Sequence, residues 1–134
     1  MLKKENVKLL IVHCSDTPDE ENIGALEIHK MHLSFGWDGI GYHKVILRSG
    51  EIQNGRPEYW VGAHVKGKND VSLGVCLIGR NHFTEKQYIS LEKVLREWRN
   101  KYPNADILGH CDTGQTLKTC PNFNVGEWLK IKNI

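Results

Sequence analysis

The chain has 134 residues, about the length of one domain, since domains most often run to roughly 100–150 residues. Its composition, 40% hydrophobic and 25% charged, is that of an ordinary globular protein and disfavours disorder, collagen and a coiled coil. The net charge is +2 and the lysines are scattered, so the basic stripe typical of nucleic-acid binders is missing. No apolar run approaches the roughly 20 residues of a membrane span. We therefore expect neither a nucleic-acid partner nor membrane insertion.

The N-terminus and the cysteines favour a reduced, cytoplasmic protein. Lysines followed by a short apolar run imitate the opening of a signal peptide, but His13, Cys14 and Asp16 end that run without a small-residue cleavage site. The cysteines are Cys14, Cys76, Cys111 and Cys120. Because no export signal accompanies them, free thiols or a metal site are a better interpretation than disulfides. We expect cytoplasmic localisation, and export would need another route.

The first half of the chain predicts a strand, a helix and a hairpin, in that order. Residues 7–13 are aliphatic and β-branched, which is typical of a buried strand. Apolar residues at loose helical spacing predict a helix from about 22 to 33, with Asn22 as its N-cap. Three glycines make 35–41 a loop, and the segments 42–47 and 51–53 flank Arg48-Ser49-Gly50 as a hairpin.

The second half predicts a functional loop followed by alternating strands and helices. Residues 55–70 show little periodicity and form a long loop, of a length that is often functional. Strands are expected at 71–78 and 107–109, and helices at 84–101 and 125–131. Thr84 and Gln87 fit a capping box at the start of the clearest helix. The fold class is therefore α/β, a single domain with a central mixed β-sheet flanked by helices.

Three residues suggest a metal site. His13 ends the first strand, His110 ends the last strand, and Cys120 follows ten positions later. Two imidazoles and one thiolate suit zinc, and three protein ligands leave a fourth position for water. Other interpretations remain open from the residues alone: satisfied polar histidines, a buried cysteine acting as a small hydrophobe, or a closed structural zinc site that also uses Cys14 or Cys111.

Three segments carry a resemblance to a known family: GWDGIGYHKVILRSGEI, GAHVKGKNDVSLGVCLIG and GH…KTCPNF. They resemble the zinc amidases that cleave N-acetylmuramoyl-L-alanine bonds in peptidoglycan, and most closely the small phage lysozymes of that family. These are related in fold to animal peptidoglycan recognition proteins. The resemblance runs in order from about residue 7 to residue 123, so it covers nearly the whole chain.

The resemblance implies a complete site with one zinc ion. By position, the zinc ligands fall on His13, His110 and Cys120, the catalytic residues on Tyr42 and Lys118, and a groove-lining histidine on His64. The Lys118 ammonium would face the tetrahedral oxyanion. Tyr42 would orient the attacking water, since a phenol of pKa near 10 is a poor base at neutral pH. His64 would hydrogen-bond the substrate, and Trp37 is an aromatic candidate for stacking on a sugar or lining the groove.

The expected reaction is hydrolysis of the amide between the lactyl group of N-acetylmuramic acid and L-alanine. Many relatives carry a glutamate general base where this chain has Cys76, so the branch of the family that uses tyrosine and lysine is favoured. Residues 1–134 would form one amidase domain without a cell-wall-binding domain, acting as a monomer on peptidoglycan or muropeptides. The alternatives are a non-catalytic peptidoglycan receptor, which commonly lacks the cysteine ligand, and a regulator that binds another protein.

Overall fold

The computed structural model describes residues 1–114 and 119–134 as a five-stranded mixed sheet with helices on both faces, so the predicted fold class is confirmed. In chain order the elements are β1 (Leu9–Cys14), α1 (Ala25–Ser34), β2 (Lys44–Ile46), β3 (Ile52–Asn54), β4 (Ser72–Leu77), α2 (Glu85–Lys101), β5 (Asp106–Gly109) and α3 (Val125–Lys132). Within these described ranges the strand order is β3-β2-β4-β1-β5, and only β3 runs antiparallel to its neighbour.

Strands β1 and β4 form the centre of the sheet and are covered on both faces. They pair in parallel, with Leu10 opposite Leu73 and His13 opposite Cys76. Parallel strands buried on both sides have nearly continuous apolar sequences, which explains why both segments were recognisable as strands. Leu10 belongs to the larger core cluster, together with residues of α2, whereas His13 faces the other side. Each predicted strand is confirmed, with bounds that differ by one or two residues.

Helix α2 begins where the sequence predicts. The Thr84 hydroxyl accepts the Gln87 N–H at 3.0 Å, and the Gln87 carboxamide accepts the Thr84 N–H at 2.9 Å. This capping box satisfies two of the backbone donors that a helix leaves unpaired at its start. Leu91, Leu95 and Trp98, spaced three or four residues apart on one face of the helix, are buried in the core.

Helix α1 begins three residues later than predicted, at Ala25, so Asn22 is not its N-cap. The Glu27 carboxylate accepts the Gly24 N–H at 2.9 Å, and the side-chain oxygen of Gln53 in β3 accepts the Ala25 N–H at 2.8 Å. The start of the helix is therefore fixed partly by a strand 28 residues away in sequence. Within the described ranges no helix combines the length and apolar character needed to cross a membrane.

Candidate metal centre and substrate cavity

The three predicted metal ligands meet at the carboxyl ends of β1 and β5. His13 is the penultimate residue of β1, and His110 directly follows β5, which pairs with β1 in parallel. Cys120 is brought to the same edge by two backbone contacts: Cys111 N–H donates to the Cys120 carbonyl at 2.8 Å, and Cys14 N–H donates to the Cys120 sulfur at 2.9 Å. Side chains at this edge of parallel strands commonly form binding sites.

The ligand atoms of His13, His110 and Cys120 all lie within 4.8 Å of one another, so one ion can contact all three. Burial, followed by the neighbouring His64 and His110, holds the pKa of His13 well below its usual value. His13 is therefore neutral at physiological pH, the form in which imidazole binds a metal. The hydrogen bond with the Cys14 thiol, together with burial, raises the pKa of Cys120. A thiolate at Cys120 therefore requires a nearby cation.

His64 lies directly behind His13. Its Nδ1 is 2.8 Å from His13 Nε2, and its Nε2 is 3.3 Å from the Ser72 hydroxyl. A Cβ placed on Gly62 or Gly74 would come within 2.7 Å of the imidazole ring, so only glycine fits at these two positions. Burial, with smaller contributions from neighbouring histidines, lowers the pKa of His64 to about 3. His64 lines the cavity, and its ring contacts the predicted metal ligand His13.

The segment just before Tyr42 is held against α1 by hydrogen bonds to two histidines. His29 Nδ1 accepts the Ile40 N–H at 3.0 Å, and His32 Nδ1 accepts the Gly41 N–H at 2.9 Å. These two histidines are three residues apart and therefore share one face of the helix. Neither histidine had a role that could be assigned from the sequence. Their spacing was visible, but the backbone groups that they bind could not be inferred from it.

Tyr42 lies between His32 of α1 and the candidate metal ligand His13. Its ring centroid is 5.0 Å from that of His13 and 5.5 Å from that of His32. Burial, followed by the neighbouring cysteines, raises the pKa of Tyr42 well above its usual value. The hydroxyl is therefore protonated at neutral pH and can act as a hydrogen-bond donor. The thiol of Cys76, which lies opposite His13 in the sheet, forms a hydrogen bond with this hydroxyl, and burial likewise raises the pKa of the Cys76 thiol.

A cavity of about 520 Å³ opens over these side chains. Its floor contains the three candidate ligands with Tyr42 and His64, and one wall is aromatic. Trp37 is 42% exposed in that wall and packs edge-on against His32 and Phe35, with ring centroids 4.6 and 5.5 Å apart. Phe35 is 58% exposed and was not singled out from the sequence. The wall is suited to a ligand with extended apolar faces.

Of the seven site residues predicted from the sequence, the structure therefore brings six to one cavity: His13, His110, Cys120, Tyr42, His64 and Trp37. The seventh, Lys118, lies outside the described residues. Asn122 belongs to the cavity rim and was missed by the sequence analysis; its side-chain amide donates to the Arg80 carbonyl at 2.6 Å and so fastens the loop behind Cys120.

Comparisons with known proteins identify the family and support the fold. The family model described as N-acetylmuramoyl-L-alanine amidase matches residues 3–123. The endolysin of Enterobacteria phage K11 is 39% identical, over 96% of this chain and 89% of the relative. The endolysin of Klebsiella phage KP32 is 36% identical, over 94% and 87%. The solved N-acetylmuramoyl-L-alanine amidase LysC from Clostridium intestinale URNW superposes with a TM-score of 0.86 at 32% identity, over 99% and 89%.

The matched region contains strands β1 to β5 and all three candidate metal ligands, His13, His110 and Cys120. The family model covers well over half of the chain, and the phage relatives are covered over most of their own length. The resemblance stated from the sequence motifs is therefore confirmed: the chain belongs to the N-acetylmuramoyl-L-alanine amidase family.

Proposed function

We propose that this peptidoglycan amidase is a zinc enzyme, in which His13, His110 and Cys120 hold one zinc ion. The bond cleaved would be the amide between the lactyl group of N-acetylmuramic acid and L-alanine of the stem peptide, and residues 1–134 would act as one catalytic domain. The observation that carries the proposal is the cluster of two imidazoles and one thiol on the floor of an open cavity.

The donor set fits zinc and a catalytic role. Zinc prefers nitrogen and sulfur ligands, and structural zinc sites use four protein ligands whereas catalytic sites use three. Cys14 is the nearest further thiol, but it is buried and its backbone N–H donates to the Cys120 sulfur. Through this hydrogen bond, Cys14 would position and stabilise the Cys120 thiolate and not bind the metal itself. The cavity above the cluster leaves room for a substrate carbonyl and a water molecule.

A zinc ion at this position would supply Lewis acidity, which activates water and polarises the scissile carbonyl. The chain's own residues then position the reactants. The Tyr42 hydroxyl, protonated because of burial, donates a hydrogen bond to the attacking water or to the oxygen on which charge develops. Lys118, two positions before Cys120, would add a positive charge at that oxygen. Trp37 and Phe35 would flank the sugar or the lactyl-peptide segment.

The substrate we propose is peptidoglycan or a muropeptide derived from it, bound by a monomer. Two phage relatives named endolysins match over nearly the whole chain, which supports action on the cell wall after release from the cytoplasm. A receptor that binds muropeptides without cleaving them would be compatible with the cavity alone. Retention of the cysteine in the metal cluster favours the enzyme.

The test compares Cys120→Ser with Cys111→Ser, which makes the same chemical change beside the site. The Cys111 thiol is not in the metal cluster and lies 3.7 Å from an Asp112 carboxylate oxygen. Zinc content is measured by elemental mass spectrometry and cleavage by liquid chromatography of muropeptides. We expect one zinc per chain and cleavage in the wild type and in Cys111→Ser, and loss of both in Cys120→Ser. Full zinc content and activity in Cys120→Ser would refute the assignment.

A further inference from the structure

A chain of hydrogen bonds runs from a candidate metal ligand to the protein backbone. His13 Nε2 is 2.8 Å from His64 Nδ1, and His64 Nε2 is 3.3 Å from the Ser72 hydroxyl oxygen. The same hydroxyl is 2.7 Å from the Lys68 carbonyl oxygen. These four groups come from three parts of the chain: His13 from β1, His64 and Lys68 from the loop before β4, and Ser72 from β4 itself.

The last acceptor fixes the direction of every bond in this chain. A carbonyl oxygen can only accept, so the single hydroxyl proton of Ser72 goes to Lys68 at the shorter distance. The Ser72 oxygen then accepts from His64 Nε2–H, which leaves an unprotonated Nδ1 on His64. That Nδ1 accepts from His13 Nε2–H. In a neutral His13 the remaining lone pair is therefore on Nδ1.

We infer that His64 is a positioning residue: it holds His13 in the tautomer that presents Nδ1 to the metal. The inference rests on the proposed zinc site and adds which nitrogen of His13 binds and what selects it. Metal-binding histidines usually donate their second ring N–H to an outer partner, which fixes the tautomer and raises the basicity of the ligand. Here that partner is a second histidine, itself oriented through Ser72.

The surroundings keep His64 in this position. The backbone N–H groups of His64 and Val65 both donate to the Asn69 side-chain oxygen, at 2.8 and 2.9 Å. Gly62 and Gly74 leave space for the ring where any Cβ would clash. Both ring nitrogens are engaged within the protein, so a hydrogen bond from this ring to substrate would require one of them to be released. Positioning of His13 requires only the hydrogen bonds that the His64 ring already makes.

The test measures zinc affinity by competition with a chromophoric chelator, in His64→Leu, His64→Asn and Ser72→Ala. An Asn side chain can place its amide oxygen near the position of Nδ1, whereas Leu cannot accept. We expect His64→Leu to weaken zinc binding by about 10–100-fold, Ser72→Ala to weaken it less, and His64→Asn to recover much of the loss. The control is His82→Leu, at an exposed position outside the cavity and outside the metal cluster, which should bind zinc as the wild type does.

A second measurement needs no variant and so does not depend on how the substitutions fold. Long-range ¹⁵N–¹H NMR of the zinc-loaded wild type reports which ring nitrogen of His13 carries the proton. We expect a protonated Nε2 and a metal-bound Nδ1; a metal-bound Nε2 would overturn the inference. Unchanged zinc affinity in His64→Leu together with a raised KM would also overturn it, in favour of a substrate contact. A wild type that binds no zinc would instead refute the proposed function, and this inference with it.

Discussion

Gly41 immediately precedes Tyr42, and its replacement by alanine tests how closely the Tyr42 segment packs against the backbone at Ala63. A Cβ at Gly41 would lie 2.0 Å from the Ala63 carbonyl oxygen and 2.8 Å from its carbon. Contacts below 3.0 Å essentially do not occur, so in Gly41→Ala the two backbone segments must separate by at least 1.0 Å (3.0 − 2.0). Because the obstacle is backbone, no side-chain rotation can relieve the clash.

The separation also breaks a hydrogen bond. Ala63 N–H donates to the Gly41 carbonyl at 3.0 Å, across the gap that must widen. Overpacking costs about 1–3 kcal/mol and a lost hydrogen bond about 1 kcal/mol, so we expect Gly41→Ala to lower the free energy of unfolding by about 2–4 kcal/mol. For a chain of this size the melting temperature should fall by about 6–12 °C. Thermal unfolding followed by circular dichroism measures it.

Gly126→Ala provides the matched control. Gly126 is in the first turn of α3, where the added Cβ would meet only the Asn124 side-chain oxygen at an ordinary 3.5 Å. Alanine is the better helix former, so this variant should gain up to about 1 kcal/mol. Glycine-to-alanine substitution is thus expected to lower the free energy of unfolding at Gly41 and to raise it at Gly126. A Gly41→Ala protein as stable as the wild type would refute the packing argument for the Tyr42 segment.

Three further substitutions have distinct expected outcomes. Tyr42→Phe removes the proposed hydrogen-bond donor and should lower kcat about 10²-fold with zinc content unchanged; full activity would exclude that role. Thr84→Ala removes the hydroxyl that caps α2 and should lower the free energy of unfolding, measured by urea denaturation, by about 1–2 kcal/mol; no change would show the cap to be dispensable. Burial would raise the pKa of Glu58, but the bonds from Lys101 and two aromatic side chains lower it below its ordinary 4.5. The ionised carboxylate therefore stabilises the fold above pH 4.5 and loses this effect as the pH falls through the pKa of Glu58 in the folded protein. The difference in unfolding free energy between the wild type and Glu58→Gln should shrink on acidification. A difference that does not depend on pH would contradict this linkage.

The fold was largely predictable because its strongest signals are local. The buried runs of β1 and β4 and the capping box of α2 lie within single short segments. The start of α1 was mispredicted because Gln53, from a distant strand, supplies an acceptor for its first turn. No pattern within residues 22–33 contains that information.

The sequence named six residues that the structure brings to one cavity, but it did not indicate how they contact one another. The family motifs identified His13, His64 and Tyr42 individually. The direct bond between His13 and His64 joins residues 51 positions apart and depends on the sheet register and on two glycines. The pair formed by His29 and His32 was equally hidden, because its partners are backbone groups of a loop that has no sequence signature of its own.

Zinc-dependent hydrolysis of the amide between N-acetylmuramic acid and L-alanine can be tested on defined substrates. The most direct measurement is mass spectrometry of defined muropeptides after incubation with the wild-type protein, with chelator, and with chelator followed by added zinc. We expect release of the intact stem peptide with a free L-alanine amino group, loss of this product with chelator and its return with zinc. Unchanged cleavage in the presence of chelator, or intact muropeptides beside a fully zinc-loaded protein, would contradict it.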